Sequence, residues 1–140
     1  MADQTELQDG VSPETDELAS TLMGDALDLL AAGEPFGVLL AVQTSSGEVK
    51  SYEFEDDGPE ACLEAARVRV GEVAGAKRYA LVYEGAVELG DKGFADALLL
   101  EFGERGYHSY SAYSLVDGKG SGDAFSWTDP APAGEVDPLL

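Results

Sequence analysis

The chain has no isoleucine and no asparagine, a single cysteine, a single histidine and four lysines among 140 residues. A lone Cys62 makes no internal disulfide and cannot supply a structural zinc site of the usual thiolate kind. A lone His108 excludes a His-rich metal centre, and no metal or other cofactor is expected. Cysteine usage fits a reducing compartment. Basic residues are also scarce, with 8 Lys plus Arg against 28 Asp plus Glu and a formal charge of −20. That balance excludes a basic nucleic-acid binder. No apolar run approaches the ~20 residues of a membrane-spanning helix. No segment has the basic, apolar and small-residue order of a signal peptide. The expected location is therefore the cytoplasm, with no membrane partner. Isoleucine, asparagine and lysine use A/T-rich codons, so a GC-rich bacterial source accounts for their scarcity.

What is present suits one folded domain. Apolar residues make up 44% of the chain, near the globular average. A chain of this length buries roughly 68–70% of its surface. The charge is uneven. Residues 1–34 carry nine acids and no base, whereas residues 61–78 carry two acids and four bases, Arg67, Arg69, Lys77 and Arg78. An acidic N-terminal third without counter-charge repels DNA, RNA and anionic membrane. Genome bias or adaptation to high internal salt would explain the acidity without any function.

The element pattern is readable. Residues 1–11 are polar and aperiodic, as in a disordered acidic arm. Ser12-Pro13 reads as an N-cap followed by Pro at the first helical position. Leu18, Leu22, Ala26, Leu29 and Leu30 then form one apolar stripe, stopped by Gly33 and Pro35. Phe36 to Gln43 is apolar on both faces and reads as a central strand. A loop over 44–47 leads to residues 48–55, which alternate as a half-buried edge strand does. Pro59 opens a second helix, with Leu63, Ala66, Val70 and Val73 on one side. Three strands follow over about 77–88, 94–103 and 107–117. Phe125 and Trp127 suggest one more short strand or a covering flap. Residues 128–140 read as a flexible acidic tail, so the domain is expected over 12–127.

The expected class is α+β: helix, β-hairpin, helix and a three-stranded meander. Its single antiparallel sheet would have about five strands, with both helices mainly on one face. This order is similar to that of profilin-like and roadblock-like domains. The resemblance is one of topology alone, and it implies protein–protein contact and dimerisation. A homodimer would also cover an open edge of such a sheet.

The candidate ligand-binding residues are Arg105, Tyr107, His108, Tyr110 and Tyr113, which set tyrosines, the lone histidine and an arginine near one strand end. Histidine is the side chain most readily switched near neutral pH. The plainer reading is a hairpin end with a solvated histidine and tyrosines packed over the sheet. Ser109 and His108 point to opposite faces, so they cannot pair as nucleophile and base. Glu53, Glu55, Asp56, Asp57 and Glu60 have the oxygen density a hard cation needs, yet as solvated acids near a helix N-terminus they require no metal. The glycine-rich loop 117–123 fails as a calcium loop, because Lys119 and Thr128 stand where acids are needed. Arg67 and Arg69 are expected to pair within their helix, with Glu64 and Glu72. Cys62 is expected to be a small core or boundary residue. The closing Glu135 to Leu140 matches an acidic dileucine sorting pattern, a short pattern that arises readily by chance.

Three functions follow as expectations. The first is a non-catalytic acidic module that binds or inhibits a basic protein, as an immunity protein does a basic toxin. The second is a small enzyme or ligand sensor on the Arg105–Tyr113 strand. The third is a nucleic-acid mimic, for which Glu14, Asp16, Glu17, Asp25 and Asp28 are irregularly spaced.

Overall fold

The computed structural model describes residues 7–34, 36–55, 58–88 and 90–140. Helix α1 runs over Pro13–Ala32. The Ser12 side chain accepts from the Thr15 N–H, Pro13 occupies the first turn, and Glu14 and Asp16 lie at its positive end. Gly33 closes the helix at φ 74°, its N–H directed to the carbonyls of Leu29 and Leu30, in the left-handed conformation that favours glycine. Pro35, the expected second stop signal, lies outside the described residues.

Strands β1 (Val38–Thr44) and β2 (Val49–Phe54) form the first hairpin, and α2 (Pro59–Glu72) follows. The long strands β3 (Ala76–Glu88), β4 (Phe94–Glu104) and β5 (Ser109–Asp117) then run antiparallel. The sheet order is β2-β1-β3-β4-β5. The α+β class and this element order agree with the sequence pattern. The strand count does not: two further strands, β6 (Ser126–Trp127) and β7 (Ala131–Val136), both pair with β5 and bring the sheet to seven.

β7 lies in the stretch expected to be a tail. Its Pro132 and Gly134 conceal a strand in the sequence. An edge strand tolerates proline because its outer side needs no donor, and the register shifts opposite Ser111 and Ala112. The described part of the N-terminal arm is also paired. Gln8 bridges Tyr107, donating to the Gly106 carbonyl at 3.0 Å and accepting from the His108 N–H at 2.9 Å.

The helices do not share one face of the sheet, contrary to expectation. Leu18, Leu22, Met23, Ala26 and Leu30 of α1 pack with Leu39, Ala41, Ala80, Val82, Leu98 and Leu100. Cys62, Ala66 and Val70 of α2 pack with Val38, Leu40, Val42, Tyr79 and Leu81. The alternation along β1 and β3 places these two sets on opposite faces. A central strand apolar on both sides needs a cover on each. Full burial of a large apolar side chain contributes roughly 1.5–3 kcal/mol, so an uncovered face would forgo several such contributions.

Candidate functional site

Of the five residues proposed from the β5 region, Tyr107, His108 and Tyr110 border one narrow crevice beside the N-terminal arm, and Arg105 and Tyr113 lie apart from it. Arg105 is exposed, and its Nε and Nη2 donate to the Ala76 carbonyl at 3.2 and 3.1 Å, tying the end of β4 to the start of β3. Tyr107 is half-buried in the bridge to Gln8. His108 lies between two carboxylates, with Nδ1 3.2 Å from Glu135 and Nε2 3.7 Å from Asp9. The Tyr110 hydroxyl accepts from the Gly10 N–H at 3.0 Å, and its ring sits 6.3 Å from that of Phe102. Tyr113 pairs across to Leu99 and Ala131. Strand alternation therefore leaves Tyr110 on the α1 side of the sheet and Tyr113 on the α2 side.

The N-terminal arm, Phe102, Tyr110, Ala112 and Pro132 border a mostly apolar groove of about 530 Å³ on the α1 side. Beside it, Glu104 is buried and accepts from the hydroxyls of Ser12 and Thr15, the latter at 2.8 Å. Lys77 and Arg78 approach the same carboxylate at 3.7 and 3.6 Å. Burial alone would raise the Glu104 carboxyl. The two hydroxyls, with Arg78 and Lys77, reverse this and hold it below its ordinary value. This network joins the start of α1 to two strands, and its chemistry is structural.

A second polar cluster lies on the α2 side. The Glu101 carboxylate, only 4% exposed, receives Arg67 Nε at 3.2 Å and Nη2 at 2.6 Å. The Tyr83 hydroxyl donates to the same carboxylate at 3.3 Å. Arg67 therefore pairs across to β4, not with Glu64 along its helix as expected, while Arg69 does reach Glu72 at 3.0 Å. A two-pronged arginine–carboxylate contact is among the stronger polar pairings, and it draws the guanidinium pKa further up. Burial, with Glu101 adding to it, raises the Tyr83 phenol. Tyr79 is fully buried. Burial pushes that phenol up to about 12, against a smaller opposing contribution from a hydrogen bond with Ser109.

Above Arg67 and Glu101 opens a cleft of about 620 Å³. Glu64 and Val68 of α2 form one wall, and Glu135, Val136, Asp137 and Leu139 form the other. Leu139 and Leu140 pack onto the α2 core, which holds the second wall in place. This cluster escaped the sequence reading, although one signal was present. Glu101 interrupts Leu98-Leu99-Leu100-Glu101-Phe102, a run that reads as buried on both faces. A charge in such a run needs a partner.

The acidic loop before α2 offers less. Asp56 and Asp57 lie outside the described residues. A hydrogen bond from neighbouring Glu55 is the main reason that the Glu53 carboxyl is raised. Among the described residues, no three His, Cys, Asp or Glu side chains converge as metal ligands. The glycine-rich turn is tied down by Lys119, 2.9 Å from Glu84, and by the Gly120 N–H donating to the Leu30 carbonyl. Cys62 is buried within the α2 core. Among the described residues, no helix is long and apolar enough to cross a membrane. Compared with protein-family models, curated proteins and solved structures, the chain finds no match in any of the three.

Proposed function

We propose that this protein is a non-catalytic binding module whose acidic surface engages a basic protein partner, in the manner of an inhibitor or immunity protein. The supporting observation is how six of the eight bases are used. Arg67, Arg69, Lys77, Arg78 and Lys119 all sit in ion pairs within the molecule, and Arg105 is bound to a backbone carbonyl. By contrast, Glu14, Asp16, Glu17, Asp25 and Asp28 on α1 are exposed, and no described cation lies within ion-pairing distance of them. Unneutralised surface charge of one sign steers a partner of opposite sign and raises its association rate.

The test is capture of proteins on immobilised protein at low salt, followed by association kinetics of whatever is retained. The expected partner is basic, and its on-rate falls steeply as KCl rises. Substituting Glu14, Glu17, Asp25 and Asp28 with their amides is expected to slow association by about tenfold. If no protein is retained, or if a retained partner binds at a salt-independent rate, the reading is wrong.

A further inference from the structure

We infer that the cleft over Arg67 and Glu101 receives a single arginine or lysine side chain from the basic partner. This rests on the function proposed above and assigns the anchoring point within it.

The lining matches the two ends of such a side chain. Val68, 51% exposed, and the facing Val136 and Leu139 offer apolar walls. Long cationic side chains bury their methylene stems along such walls and carry the charged head to polar groups. Glu64, Glu135 and Asp137 supply carboxylates around the opening. Glu64 and Asp137 have no ion-pair partner among the described residues, and Glu135 faces only His108. Arg67 is the one cation in the lining, and both prongs of its guanidinium are occupied by Glu101. An anionic ligand would therefore meet three further carboxylates beside a guanidinium already paired with Glu101.

The experiment is a titration of the full chain with a hexa-arginine peptide, followed by calorimetry and by amide chemical shifts. The paired variant Glu64→Gln, Asp137→Asn removes two rim charges from exposed positions. The control Glu17→Gln, Asp28→Asn removes the same charge from the outer face of α1. The expected result is saturable binding, with the largest shifts at Val68, Val136 and Leu139. The rim variant should weaken binding about tenfold and the control less than about twofold. Equal weakening by both variants, or shifts centred on α1, would overturn the assignment. If a captured basic partner still binds the rim variant at full strength, the cleft is wrong and the wider reading stands. If neither the peptide nor any basic protein binds, both fail.

Discussion

Glu104 is the residue on which the most separate parts of the chain converge. Ser12 and Thr15 donate to it from the start of α1, and Lys77 and Arg78 approach it from β3. Replacing it with glutamine keeps the shape and removes the charge that four donors face. The expected loss is about 1–3 kcal/mol at neutral pH, read from denaturant unfolding. The pH dependence has a definite sign. The folded-state pKa lies below the ordinary 4.5, so the stabilisation is complete above that value and disappears as the pH falls through the folded-state pKa. The gap between wild type and Glu104→Gln should therefore close on acidification below about pH 4.5. A gap that persists there would show that the glutamine acts through packing alone. Little of this was legible beforehand. Ser12 could be read as a cap, but its partner is 92 positions away, and no local spacing reveals such a pairing. Arg67 shows the same limit: i, i+3 spacing favoured Glu64, and the fold supplied Glu101.

At the scale of elements, local signals carried further. The caps of α1, the doubly apolar β1 and the alternation in β2 were all readable, because each rests on contacts within a few residues. The two-faced character of β1 in fact demanded covers on both sides, a demand that placing both helices together left unmet. β7 was hidden because proline and glycine count against strand interiors and not against edges. Its role can be tested. β7 and β6 together cover the outer edge of β5, and an exposed, flat edge invites pairing with another chain. A chain ending at Pro130 should therefore associate, with light scattering giving a mass of a dimer or larger. A monodisperse monomer with an unchanged circular dichroism spectrum would contradict the protective role of β7. The opposite edge, β2, carries Lys50 and Glu53 at exposed positions, charges of the kind that discourage such pairing.

At the scale of the whole molecule, the charge of −20 divides into a part neutralised internally and a part left facing solvent. Self-repulsion from the second part destabilises the compact state. A partner of opposite charge, a solvent that screens it, or genome bias would each account for its retention. Adaptation to solvent alone requires high salt, and circular dichroism against KCl, from near zero to several molar, separates it from the others. The account predicts a full α+β spectrum and a cooperative thermal transition at ~0.15 M, where the screening length is about 8 Å. Exposed acids on α1 and around the cleft are then available to a basic partner. A chain that folds only in molar KCl would make its acidity an adaptation to solvent, and would contradict the claim that this surface exists for binding.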